Sequence, residues 1–545
     1  MESLKQIVIL TILFTLSITN SYAETGYWKG CIDDKQHVRA VANIAPSTLA
    51  GSWDSACLTP GTYHMTFTAY EVEGGVALYL GNSKKKIIDQ VKDYSFDFIV
   101  TDNKRIAFQA ASLSSQGKAV IGAKLIFVTK TSGSDLYVDK GHPEASDSSD
   151  AGTFDKPFKS LAYAAAVANP GNRVIVKSGT YSGPVIFENS GTADKPIVIE
   201  AAANEDVTVK GGGYNGVFYI SGKSHITISG FKIQNAKYGV NIENADHIMV
   251  SGNDISLSTS SGVRAKDSVN ITVDNNKVHN TNSGGIHEMI SLINVDGFAV
   301  SNNEVYNKNF NYEGKEGIDA KTGSRNGEIV GNTVHDLYRL GIYVDAWEDI
   351  DNIQVLRNKV YNCKHGVAVS SEVETATVEN VLIANNILFN NRVHGIIISK
   401  YVGNGPRRNI RIYNNTTHNN GSFNAEGKPV GAGIYVDKLA NAKGIEIVNN
   451  IASENYQAGI VAPDAPETVT YSQYNLVVGK MSFDTGVTQV AQILFVDADN
   501  VNFQLEEYSP AINRGGPLIE ILDDFNQTLR PVGGVYDVGA FESPY

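Results

Sequence analysis

Positive charge is what this sequence has least of. Lys and Arg number 45 against 58 Asp and Glu, a net charge of −13. A general nucleic-acid binder carries the opposite excess, because phosphate contacts dominate its affinity. That class is excluded, and an anionic ligand would have to find a local basic patch. Long apolar runs are also missing beyond the N-terminal segment, where none approaches the roughly 18 residues that cross a bilayer, so no membrane span is expected. Cysteine is scarce: there are three, with no metal-ligand spacing. Cys31 and Cys57 share one N-terminal segment and are the candidate disulfide, while Cys363, in VYNCKHGV, reads as a buried free thiol. Only 15 prolines accompany 51 glycines in 545 residues, a length that holds two or more folding units.

The opening MESLKQIVILTILFTLSITNSYAETG sets Lys5 before an apolar run from Ile7 to Ile18, and Ser21-Tyr22-Ala23 is a small-x-small cleavage site. Residues 1–23 are therefore expected to be a signal peptide, and the mature protein to be secreted or periplasmic. Residues 24–130 alternate apolar and polar side chains, as in TYHMTFTAYEV and KLIFVTK. They read as a β-sandwich-like domain that ends near TKTSGSD, with a carbohydrate-binding or anchoring role open to it.

From Tyr238 onward the chain repeats. Gly-aliphatic pairs recur at Gly239, Gly262, Gly285, Gly317, Gly341, Gly366, Gly395, Gly433 and Gly459. A second series, from IMVSGNDI to IEIVNNI, ends in Asn253, Asn276, Asn303, Asn332, Asn358, Asn386, Asn415 and Asn450, in step with the glycines. Short aliphatic strands at such a period signal a solenoid whose coils stack strand on strand. Asparagine suits the bend, since it tolerates left-handed backbone and can bond to the next coil's copy. The reading is all-β: a right-handed parallel β-helix over 134–545, with three strands per coil and an asparagine ladder. An amphipathic helix around Leu161 to Ala168 caps its open end, and SPAINRG with DDFNQTLRPVGGVYDVGAFE forms a closing segment.

Counted from each glycine, the first and third following residues are mostly aliphatic and should fill the bore, so the second and fourth should face solvent. The second reads Asn241, Arg264, His287, Asp319, Tyr343, Ala368, Ile397, Tyr435; the fourth reads Glu243, Lys266, Met289, Lys321, Asp345, Ser370, Ser399, Asp437. Arg264, His287, Asp319, Lys321, Tyr343 and Asp345 then form one patch of acids, bases and nucleophiles across four coils. Longer connections before Gly317 and Gly433 would wall it, with Phe310 and Tyr312 placed to stack on a sugar ring and Lys400 as a further substrate contact.

In EGIDAKTGSRNGEIVGNTV the chain resembles the pectate-lyase-like superfamily, and the lysine-bearing coil is similar to that of alginate and chondroitin B lyases, with Glu316 five residues ahead of Lys321. The resemblance implies a polysaccharide substrate, an acidic one, and β-elimination. In that scheme Lys321 is the base, Tyr343 or His287 donates to the leaving oxygen, and Arg264 or Lys266 holds the uronate. Calcium is the one cofactor it raises, yet Arg339 and Leu340 stand where paired aspartates would. The Asn-Thr-Asp, Gly-His-Gly and Arg-Ile-Lys signatures of polygalacturonases are absent. Neighbouring cations and burial would lower the Lys321 pKa, whereas Asp345 would hold it charged as an ion-pair partner. Two alternatives stand beside the lyase. One is a glycoside hydrolase using Asp319 and Asp345, or Glu372; the other is a non-catalytic binding or adhesive solenoid. A monomer is expected.

Overall fold

The computed structural model describes the strands between Ala50 and Lys130 as backbone, and residues 135–284, 288–307, 316–400, 403–462, 467–483, 485–518 and 520–545 in full. Residues 1–23, Cys31, Cys57, His287, Phe310 and Tyr312 lie outside the described residues. The chain divides into two compact units, Met1–Thr131 and Ser132–Tyr545. In the first, a four-stranded antiparallel sheet accompanies a second in which the long strand Gly61–Glu73 pairs with three partners.

The second unit is a parallel β-solenoid of about 11 turns. Its coils supply three strands each to three sheets, and every neighbour pairing along the stack is parallel. Alternation decides what fills the bore. In the strand Ile318–Lys321, Ile318 and Ala320 are fully buried inside while Asp319 and Lys321 point out. The next strand, Leu340–Ala346, repeats this with Ile342 and Val344 inside. Gly317 marks a close approach of coils, since a Cβ there would lie 2.5 Å from the Gly341 carbonyl oxygen.

The asparagine ladder runs unbroken from Asn253 to Asn475. Each Nδ2 donates to the next Oδ1 at 2.9–3.0 Å, and the same Oδ1 takes a backbone N–H, as at Asn332 and Asn358. The left-handed residue at this bend is the one before the ladder, such as Asn302 (φ 55°) or Gly331 (φ 67°), rather than the ladder asparagine itself. The amide is there for its bonds.

Helix α1 (Leu161–Val167) starts at Ser160, whose side chain accepts from the Tyr163 N–H, and buries Leu161, Ala164 and Ala165. The C-terminal segment lies along the flank of the stack. Asn385 donates to the Asp523 carbonyl, Asn414 to the Gly539 carbonyl and Asn449 to the Gly516 carbonyl, and Phe503 and Phe541 pack with Phe389. Cys363 is buried and free, its thiol pushed up to about 12 by burial.

Candidate active site

One register correction reshapes the predicted patch. Val263 pairs with Ile290 and Arg264 with Ser291, so the coil between Gly262 and Gly317 is aligned through Met289, not Gly285. Met289 is fully buried rather than outward, and the outward residues of that coil are Ser291 and Ile293. Ile293 thus separates Lys266 from Lys321. Nor is Arg264 open to a substrate carboxylate: it is 8% exposed and donates to Asn241 Oδ1 at 2.7 Å and Glu243 Oε1 at 2.5 Å. Lys266 pairs with Asp267 at 3.3 Å. Lys400 is exposed and follows a strand two coils beyond Asp345.

The second correction concerns solvent. The outward residues are not exposed: Asp319 is 1% exposed, Asp345 3%, Tyr343 4% and Ser370 0%. Long side chains on adjacent coils cover short ones, because neighbouring strands stand only about 4.8 Å apart. The face is a packed floor in which charges lie out of water.

The structure does bring together Asp319, Lys321, Tyr343, Asp345 and Glu372, and adds Glu288. Lys321 Nζ lies 2.7 Å from Glu288 Oε1 and 3.4 Å from Asp319 Oδ2, and Ser291 Oγ donates to Glu288 Oε2 at 2.8 Å. One coil on, Lys321 is paired in register with Asp345, and Asp319 with Tyr343. Tyr343 donates its phenol to Glu372 Oε1 at 3.0 Å. At the edge, Arg339 is engaged with Glu316 at 2.9 Å.

The charge states follow from burial and this crowd of acids. Burial pushes the Asp345 carboxyl up, the negative charge of Glu372 pushes it further, and Lys321 offsets only part, leaving it at about 8. Asp319, fully enclosed, is raised well above the usual carboxylate range by burial, despite Lys321 beside it. Burial pulls Lys321 down, but Asp319, Glu288 and Asp345 together outweigh it, so its ammonium is held above the ordinary lysine range. Tyr343 is raised by burial and by Asp345, and stays a neutral donor.

Two neighbours were not singled out in the sequence. Trp347 follows the Asp345 strand, is 53% exposed and offsets a little of the burial that raises the Asp345 carboxyl. Arg407, fully buried, donates to Ser370 Oγ and the Ser371 carbonyl at 3.3 Å, anchoring the strand end that leads into Glu372. An exposed tryptophan beside the reactive coil was a legible signal, whereas Arg407 acts from a different sheet. A divalent cation does not fit the cluster, because the Lys321 ammonium already stands between Glu288 and Asp319. Among the described residues, no group of three or more acidic, His or Cys side chains is spaced to hold a metal.

Fold and site together define a parallel solenoid carrying a carboxyl-rich floor on one outer face. Residues 183–297 and 215–381 match the family model described as a right handed beta helix region. The second unit of the chain is a right-handed parallel β-helix. The chain is 30% identical over 309 residues to the uncharacterized protein YwoF of Bacillus subtilis (strain 168), covering 48% of this chain and 63% of that relative, just under two thirds of its length. Among solved structures it is similar to pectate lyase Pel9A (17% identity, 76% of this chain and 98% of that one, TM-score 0.45). It is also similar to XylC in complex with xylose (13% identity, 75% and 98%, TM-score 0.47). At these values neither bears on what the floor does.

Proposed function

We propose that this protein is a glycoside hydrolase acting on a neutral glycan, with Asp345 and Glu372 as its carboxyl pair. The observation that carries the reading is Asp345: an outward carboxyl only 3% exposed, with Oδ1 unbonded and a pKa pushed to about 8. At neutral pH Asp345 keeps its proton, while Glu372 accepts the Tyr343 hydrogen bond. Glycosidic cleavage needs this combination of one carboxyl to protonate the leaving oxygen and another to attack or to activate water. Trp347 offers a ring face beside the acid, suited to a pyranose.

The lyase reading asks Lys321 to take a proton. Held between Glu288 and Asp319, its ammonium is a poor base and a good hydrogen-bond donor to sugar hydroxyls. Charge also argues for a neutral substrate, since the one lysine of the floor is already held by Glu288 and Asp319 and offers no free cation to a uronate. A secreted or periplasmic location, expected from residues 1–23, fits a polymeric substrate.

The test is digestion of a panel of neutral and acidic polysaccharides, followed by mass and by the ultraviolet absorbance of unsaturated ends. Products that have gained water, lost in Asp345→Asn and Glu372→Gln, support the hydrolase. Unsaturated products would restore the lyase, and binding without product would leave a carbohydrate-binding solenoid. Aryl glycosides with good leaving groups then assign roles, because the variant lacking the acid keeps activity on them.

A further inference from the structure

The outer face changes character on the C-terminal side of Asp345. Asp319 and Tyr343 are followed in register by Ala368, Ile397 and Tyr435, an apolar rail packed as one cluster. The parallel row runs from Asp345 to Ser370, which is fully buried and donates to the Ser399 carbonyl, with the half-buried Ser399 one coil further. Tyr435 and Ser399 are the half-buried members of these rows, an aromatic ring and a hydroxyl that suit a neutral sugar.

Along the edge where this sheet begins, the chain inserts a hairpin between the strands Thr416–His418 and Ala432–Val436. Its arms Ser422–Phe423 and Pro429–Val430 are antiparallel, and Asn424 Oδ1 ties the tip by accepting from the Glu426 and Lys428 N–H groups. Ser422 Oγ donates to the Arg392 carbonyl at 3.0 Å and pins the base. Phe423 is 64% exposed and Tyr456, at the start of the next coil, is 40% exposed; their rings meet edge to face at 5.3 Å. A lone exposed aromatic is ordinary, but a contacting pair on an anchored hairpin is not.

We infer that Phe423 and Tyr456 form a distal subsite that stacks on a sugar ring of a neutral oligosaccharide whose reacting bond lies over Asp345 and Glu372. The strand reached through the hairpin is three coil steps from Asp345, about 14 Å at the usual strand spacing, the reach of a few sugar units. The glycan runs along the solenoid axis toward the C-terminal coils, over the rail of Ala368, Ile397 and Tyr435. Bound this way, the enzyme favours chains over single glycosides.

The direction of the chain rests on the hydrolase reading, and the test separates the two. Neutral oligosaccharides of two to six units (gluco-, xylo-, manno- and galacto-series) are titrated calorimetrically and assayed for cleavage with the wild type, with Phe423→Ala/Tyr456→Ala, and with Tyr508→Ala as a control aromatic distant in sequence. The expected result is affinity and kcat/KM that rise with length in the wild type and control. In the double variant, the ratio of longest to shortest falls at least fivefold, with melting temperature kept. If nothing is cleaved but the double variant loses length-dependent binding, the subsite stands and the hydrolase reading falls. Equal length dependence in the double variant, or no binding of any series, overturns the subsite.

Discussion

At the scale of the residue, the site is governed by carboxyls that cannot all ionise. Asp345 titrates near 8 when folded, against the ordinary aspartate value near 4. Between those values the folded protein binds more protons than the unfolded chain, so this group costs stability as pH rises from about 4 to about 8, and no further beyond. Asp345→Asn removes the titration. The variant should melt near the wild type at pH 4 and above it by a margin growing to a few kcal/mol at pH 8, while losing activity. A margin independent of pH would show that Asp345 is not the buried acid. Lys321→Ala is expected to do the opposite. It strips the ammonium from Glu288 and Asp319, costing about 3–5 kcal/mol at neutral pH as for other broken buried pairs. The loss shrinks on acidification because Asp319 then carries a proton; urea midpoints at two pH values check it. Asp319, Lys321, Tyr343, Asp345 and Glu372 were legible in the sequence because strand alternation puts them outward. Glu288 was not, because Gly285-Ile286 imitates the Gly-aliphatic pair while Met289-Ile290 does the pairing. The ladder asparagines on either side, Asn276 and Asn303, are spaced for the true register and were the better ruler.

At the scale of the element, the bends are held by amides rather than by backbone propensity. Asn332 Oδ1 accepts from the Asn303 backbone and side chain, while its Nδ2 donates to Asn358 and to the Val300 carbonyl at 2.8 Å. Asn332→Leu leaves buried donors and acceptors on two neighbouring coils unmatched, at roughly 1–3 kcal/mol each. Ser399→Ala, at a half-buried outward position, should change little. The expected result is a clear drop in denaturant midpoint for the first and almost none for the second; equal midpoints would sink the ladder as a source of stability. The ladder was readable because each asparagine closes the same short aliphatic-x-aliphatic run, whatever the length of the loops between coils. That the outward face is buried was not readable, because cover comes from adjacent coils, and alternation reports direction rather than exposure.

At the scale of the whole molecule, a solenoid gains stability from each coil's contact with its neighbours, so its weak points are its ends. The N-terminal end of this one is closed from within the second unit. Its first strand, Asp135–Val138, pairs with Arg173–Val176 on one side. On the other side the Tyr137 N–H donates to the Gly152 carbonyl, and the Phe158 and Asp139 N–H groups donate to the Tyr137 and Phe158 carbonyls, which occupies the strand edge with the chain's own loop. Helix α1 lays Leu161, Ala164 and Ala165 against the core at that end. A fragment starting at Ser132 therefore keeps the edge of Asp135–Val138 bonded and helix α1 packed at this end. It should unfold cooperatively, keep its parallel-sheet circular dichroism, and show a urea midpoint close to that of the solenoid in the full chain. Retained hydrolysis of short glycans would place catalysis within the solenoid. A fragment that aggregates or unfolds without cooperativity would mean instead that the first unit supplies the cap.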